Sequence, residues 1–220
     1  IQAEITPQTR LIAISHVSWL DGAVLPVRQL TGHGIPVLVE GAQGAGAIPV
    51  NVEDLGADYY TVSGQKWLLG PAGTGALYIA PGRLDDFRVV FPSYLSWKLP
   101  HYEFRDGAAR FDGSRTPAAS IAGLQASLSF AAKAGQDRFI RARRAAERCR
   151  TLLLERGADV ITEPDQATLV SWQSENPEAL VDRLAEQGVV VRDLPGTRLV
   201  RASCGYWTSE DDLQRLIRWL

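Results

Sequence analysis

Three side chains in the first third of the chain are of types that do chemistry together: a carboxylate at Glu40, a primary amide at Gln43 and an amine at Lys66. Lys66 stands in "VSGQKWLLGPAGTG", beside Trp67, Leu68 and Leu69 and between two apolar, strand-like runs. A charged ammonium cannot be buried among such neighbours cheaply unless it is paired or sheds its proton. A neutral amine condenses with an aldehyde, and a carboxylate keeps a pyridinium nitrogen protonated. The set suits pyridoxal phosphate as cofactor.

Competing chemistries fit less well. "EGAQGAG" after "PVLV" is glycine-rich, but its spacing is not that of a dinucleotide-binding loop and Pro49 interrupts the helix that should follow. "GPAGTG" has no lysine after its glycines, so it is not a phosphate-binding Walker loop. His16, His33 and His101 are scattered without metal-ligand spacing, so no metal is expected, and His16 is read as a hydrogen-bonded structural residue. Cys149 and Cys204 form no disulfide framework; Cys204 is read as a small buried core thiol.

Positioning these groups requires a fold, and 220 residues with 45% hydrophobic content can bury a substantial core. A net charge of -2 gives no general attraction to nucleic acid or anionic membrane, so small molecules or other protein chains are the expected partners. No apolar run reaches the roughly 18–20 residues that span a bilayer, and Ile1-Gln2-Ala3-Glu4 does not read as a signal peptide, so a cytoplasmic protein is expected. The sequence contains no methionine, even at position 1, and the chain is expected to start inside a longer protein.

Up to about Ala80, strand-like runs "LIAISHVSW", "PVLVEGA", "DYYTVS" and "GALYIA" alternate with turns and helix-sized segments, which predicts an α/β unit with a mainly parallel sheet and function at strand ends. "LPVRQLTGHG" is short for a crossover helix. Residues 81–117 read as a long irregular connection, whose aromatics Phe91, Tyr94, Trp97, Tyr102 and Phe104 are expected to pack in the core or at a dimer interface. From Ala118 the pattern becomes helical through "IAGLQASLSFAAKAG" and "DRFIRARRAAERCRTLLLERG", the latter carrying arginines read as a solvated face. Strands "TLVSWQ", "VVVRDL" and "RLVRASC" follow, with a helix opened by Asn176 and Pro177 and a last helix capped by Thr208 or Ser209. Two domains are expected, residues 1–117 and a small α+β domain of residues 118–220.

The stretch "VEGAQGAGAIPVNVEDLGADYYTVSGQKWLLGPAGTGALYI", continued by "RFD", "LVSW" and "LVRASCGYWTSEDDL", resembles the class V aminotransferases, the cysteine-desulfurase-like group of fold-type I pyridoxal-phosphate enzymes. The resemblance implies an α/β fold: the second half of the cofactor-binding large domain plus the small C-terminal domain. It implies that Lys66 forms the Schiff base and shuttles the Cα proton, Glu40 meets the pyridine nitrogen, Ala42 lies against the ring, Gln43 bonds the ring hydroxyl, and Ser63 and Gln65 lie near the phosphate. Glu40 stands where the family has an aspartate, and Gln65 where it has a histidine. A phosphate-binding threonine from the neighbouring subunit falls at Arg115 or Thr116, implying a homodimer with shared active sites. The family's N-terminal portion, with a phosphate-binding turn and an aromatic stacked on the ring, is absent from this sequence.

For the substrate, an amino acid, the resemblance implies that Arg201 binds the α-carboxylate, while Arg192 and Trp19 stand at substrate-side positions. Desulfurases and selenocysteine lyases carry a catalytic cysteine just before the arginine strand and an asparagine where "ISHVSWLDG" has Trp19. Here no cysteine precedes Arg201 in "VVVRDLPGTRLVRASCGY", a pattern more similar to the cystine C–S lyases. A β-lyase is therefore expected. A desulfurase, an isopenicillin N epimerase-like epimerase, an aminotransferase and a non-catalytic remnant or subunit-binding domain remain as alternatives.

Overall fold

The computed structural model describes residues 2–115 and 117–220. Its first half is built on a four-stranded sheet of β1 (Ile12–Ser15), β2 (Val37–Glu40), β3 (Tyr59–Ser63) and β4 (Gly75–Ile79), in that spatial order. β1, β2 and β3 run parallel and β4 returns antiparallel to β3, so the sheet is mainly parallel, as the alternation of strands and turns predicts. Ile12, Ile14, Val37, Val39 and Tyr60 are buried in one core with Val27 and Leu30. Val27 and Leu30 come from a single 3-10 turn, which is all that "LPVRQL" forms between β1 and β2. The segment is too short for a full crossover helix, yet it still covers the sheet.

Between β2 and β3 lies the short helix α1 (Val52–Leu55), capped by the Asn51 side chain and closed by Gly56 in the left-handed conformation. Asp58 then secures the entry to β3. Its carboxylate accepts from Val37 N–H at 2.8 Å and from Arg83 Nε at 2.6 Å, joining the sheet to the start of the long connection.

That connection holds two 3-10 turns and the two-residue strands β5 (Trp97–Lys98) and β6 (Glu103–Phe104). Packing of its aromatics into this chain's core is not observed. Phe91, Tyr94 and Tyr102 are exposed, and Trp97 stacks instead on Phe104 across the hairpin at 4.2 Å. Two-residue strands offer no face broad enough to cover five large rings.

Helices α2 (Ala118–Lys133) and α3 (Asp137–Glu155) lead to the second sheet, in which β7 (Leu169–Gln173) and β8 (Arg192–Asp193) flank β9 (Leu199–Ser203), all antiparallel. Helix α4 (Pro177–Glu186) starts at its Asn176 cap, and α5 (Glu210–Trp219) at Ser209, which forms a capping box with Asp212. "VVVRDL" yields only a two-residue strand because Val189 N–H is committed to Leu184 O at the end of α4, and Val190 projects into solvent. The arginines of α3 fasten as well as solvate it: Arg148 pairs with Glu210, Arg150 donates to Thr162 O and Arg141 to Tyr206 O. Cys149, Leu153, Trp172, Val200 and Cys204 fill the core between α3 and this sheet. Among the described residues no helix is long and apolar enough to cross a membrane.

Candidate active site

Lys66 sits in the turn after β3, and glycine makes that turn possible. Gly64 N–H donates to Thr74 O and Gly70 N–H to Gly64 O, both at 2.8 Å, drawing the two ends of the loop together. A Cβ on Gly64 would fall 2.3 Å from Thr74 Oγ1, so this closure excludes any side chain there. Leu69 takes a left-handed conformation, φ 59°, and its N–H closes the turn on Lys66 O at 3.0 Å. The result holds Lys66 exposed while Trp67 beside it is buried. Within this chain the lysine therefore escapes the desolvation that its apolar neighbours suggest.

The partner face comes from the second sheet. Arg201, on β9, is buried at 7% exposure and donates from a terminal guanidinium nitrogen to Trp19 O at 2.6 Å. Ser171, its register partner on β7, hydrogen-bonds Leu20 O, while Ala167 N–H reaches Gly22 O and Val24 N–H reaches the Gln166 side chain. These bonds stitch the loop after β1 to the second sheet. They bring Arg201 to the mouth of the Lys66 turn.

Between these surfaces lies a cavity of about 430 Å³, lined by Trp19, Gln43, Lys66, Arg192, Arg201 and Trp207 among others. Five residues singled out in the sequence thus share one wall-to-wall site. Burial, with the Arg192 charge adding to it, lowers the pKa of Arg201, and its Nε has no protein partner. A second anchored group is Gln43, whose Oε1 accepts from Trp67 Nε1–H at 2.8 Å. A larger cavity, about 680 Å³, lies between Arg28, Asn51, Asp54 and Phe139 and contains none of the predicted site residues.

The remaining described candidates do not line this cavity. Glu40 ends β2, and its Oε1 accepts from Ala42 N–H at 2.8 Å; Ala42 itself is buried. Ser63 ends β3 opposite Gly75, and Gln65 is exposed. Arg115 is exposed with its guanidinium 5.8 Å from the Tyr94 ring, away from the Lys66 cavity. Thr116 lies outside the described residues. His16 is buried, with Nδ1 2.9 Å from the Tyr60 hydroxyl, in keeping with a structural role. Cys149 and Cys204 are both free and buried in the second core. Among the described residues no group of three or more His, Cys, Asp or Glu side chains is placed to hold a metal.

Like Ser203, Trp207 is a wall residue that sequence reasoning missed. It stands in the turn between β9 and α5, with its ring 4.9 Å from Tyr206 and 6.3 Å from Trp67. A large aromatic at the C-terminal end of the strand that carries Arg201 was the available signal.

This architecture is that of a fold-type I pyridoxal-phosphate enzyme. The aminotransferase class-V profile matches residues 1–216, and the chain belongs to that family. Isopenicillin N epimerase of Streptomyces clavuligerus is 30% identical over 97% of this chain and 60% of its own length. A probable cysteine desulfurase of Xylella fastidiosa is 29% identical over 97% of this chain and 56% of its own length. The structure of the cystine C–S lyase C-DES with its reaction product cysteine persulfide superposes with a TM-score of 0.92 at 30% identity, covering 98% of this chain and 62% of that one. A lysine-to-alanine variant of C-DES has glycine covalently linked to its pyridoxal-phosphate cofactor. The chain thus spans 56–62% of the length of these three relatives.

The side chains fit such a cofactor. With Gln43 Oε1 accepting from the indole, the amide nitrogen is the donor this side chain can offer to a ligand in the cavity. Glu40, at the end of β2, has one carboxylate oxygen held by Ala42 N–H. Lys66 shares the cavity wall with Gln43.

Proposed function

We propose that the protein is a pyridoxal-phosphate-dependent β-lyase that cleaves the C–S bond of cystine, cysteine or a cysteine S-conjugate, with Lys66 as the Schiff-base lysine. The observation that carries this reading is the convergence of Lys66, Gln43, Arg192 and Arg201 on one cavity. The cofactor, when bound, supplies the electron sink for the pair released from the Cα–H bond. The chain's residues do the rest. Glu40 faces the ring nitrogen, Ala42 the ring, Gln43 the ring oxygen, and Ser63 and Gln65 the phosphate. Arg115 or Thr116 reaches the phosphate of a second copy, in a homodimer with shared sites.

Arg201 holds the substrate α-carboxylate with a planar, charge-assisted donor set. Lys66 Nζ takes the Cα proton. The Cβ–S bond then breaks with its electron pair leaving on sulfur, and the 2-aminoacrylate product takes up one water to give pyruvate and ammonia. Arg192 and Trp19 meet the distal part of the substrate, Arg192 through a second carboxylate. Both cysteines of the chain lie in the second core. That placement favours direct elimination over a route through an enzyme persulfide.

Residues 1–117 then form the second half of the cofactor domain and residues 118–220 the small domain, in a cytoplasmic enzyme. Incubation of the full-length protein with cystine tests the reading: pyruvate and ammonia are expected. Formation of alanine from cysteine would instead show a desulfurase. A second reading, an epimerase, is favoured by the 30% identity to isopenicillin N epimerase. It shares proton removal by Lys66, and inversion of Cα without pyruvate would identify it.

A further inference from the structure

Gln43 carries an acceptor and a donor at the end of a broad terminal torsion, so by itself it can offer either to a ligand. Trp67 removes that freedom. An indole N–H is a donor only, and Trp67 Nε1 lies 2.8 Å from Gln43 Oε1. Trp67 cannot easily turn away, since it is 8% exposed and packed with Ala47 and Leu169. Its backbone carbonyl also lies under Gly46, where a Cβ would fall 2.7 Å from that oxygen. Reversing the amide would set two donors against each other and strand a largely buried N–H. The orientation with oxygen towards the indole is therefore preferred by about ten-fold or more.

We propose that Trp67 is a positioning residue: by holding the Gln43 oxygen, it commits the amide NH2 to the cofactor's ring oxygen and so sets the protonation equilibrium of the Lys66-linked cofactor. This rests on the function proposed above. A donor on the ring oxygen draws off part of its negative charge, and that oxygen then holds a proton on the neighbouring imine nitrogen less firmly. Freed from Trp67, the amide presents its own oxygen part of the time. The imine proton should then be held to higher pH.

The test is the pH titration of the visible absorbance of the full-length holoenzyme. Trp67→Phe keeps an aromatic ring and loses the donor; with the amide free to take either orientation, about a factor of two, the midpoint should rise by about 0.3 pH unit. Gln43→Met, which removes the donor altogether, should raise it further, and the double variant should match Gln43→Met, because Trp67 acts only through that amide. An unmoved midpoint in Trp67→Phe, or additive shifts, would overturn the proposal. Should Trp67→Phe fail to fold, the wild-type protein with nitrogen-15 in its indole groups gives a second test. One indole N–H resonance is expected to move upfield on Gln43→Met, and a spectrum without such a change would overturn the proposal. Failure of the function itself would look different: borohydride reduction would then leave no label on Lys66, whatever the indole spectrum shows.

Discussion

Arg192 and Arg201 stand directly opposite each other on the antiparallel strands β8 and β9, and both line the cavity that Lys66 enters. Two guanidinium groups so placed repel one another, and Arg201 is in addition buried. Anionic ligands relieve that repulsion. Under the proposed function, a substrate with a carboxylate at each end would match the arrangement better than one with a single acid.

Arg201→Lys should weaken amino-acid binding although the positive charge is kept. An ammonium lacks the planar fork that lets Arg201 serve Trp19 O from one nitrogen and present a parallel donor pair to a carboxylate. A loss of about 2–3 kcal/mol, some 30- to 150-fold in kcat/KM, is expected for hydrogen bonds to a charged group. Steady-state kinetics with cystine checks this.

Arg192→Ala should separate substrates by their second acid. Cystine should lose about ten-fold in kcat/KM, while S-methylcysteine, with one carboxylate, should change less than three-fold. Equal losses on both would remove Arg192 from the distal position.

Much of this site was legible in the sequence where local chemistry decides. The strand ends at Glu40 and Ser63 and the glycine-flanked turn at Lys66 follow from local pattern, as does the Asn176 cap; the last helix's cap was legible only as Thr208 or Ser209, and it is Ser209. The indole bond to Gln43 and the contact between Arg201 and Trp19 O were not legible. They join residues far apart in sequence, and neither periodicity nor composition encodes which side chain meets which. The aromatics of the long connection, read as packing in the core or at a dimer interface, do not enter this chain's core; hydrophobicity reports that a ring should be covered, not what covers it.

His16 should make stability depend on pH. Burial beside Tyr60 lowers its pKa below the ordinary value of 6.5. The unfolded chain therefore takes up a proton that the folded chain refuses. Stability present above pH 6.5 is lost as the pH falls below it, until the folded-state value is reached, at up to about 1.4 kcal/mol per pH unit for one proton. Urea unfolding between pH 7.5 and 5 should show this slope, and His16→Gln should flatten it.

Gly41 links Glu40 to the Gln43 loop at a point with no room for a side chain. A Cβ there would lie 2.0 Å from the Tyr60 ring and 2.5 Å from Thr61 O. Gly41→Ala should destabilise the protein by about 1–3 kcal/mol, as overpacking does, and lower its urea midpoint.

The most direct measurement is borohydride reduction of the full-length protein supplied with pyridoxal phosphate, followed by peptide mass mapping. A stable pyridoxyl adduct is expected on the peptide containing Lys66 and on no other lysine, together with loss of the visible band. An unlabelled Lys66, or an unchanged visible spectrum in Lys66→Ala, would contradict the proposed role of Lys66.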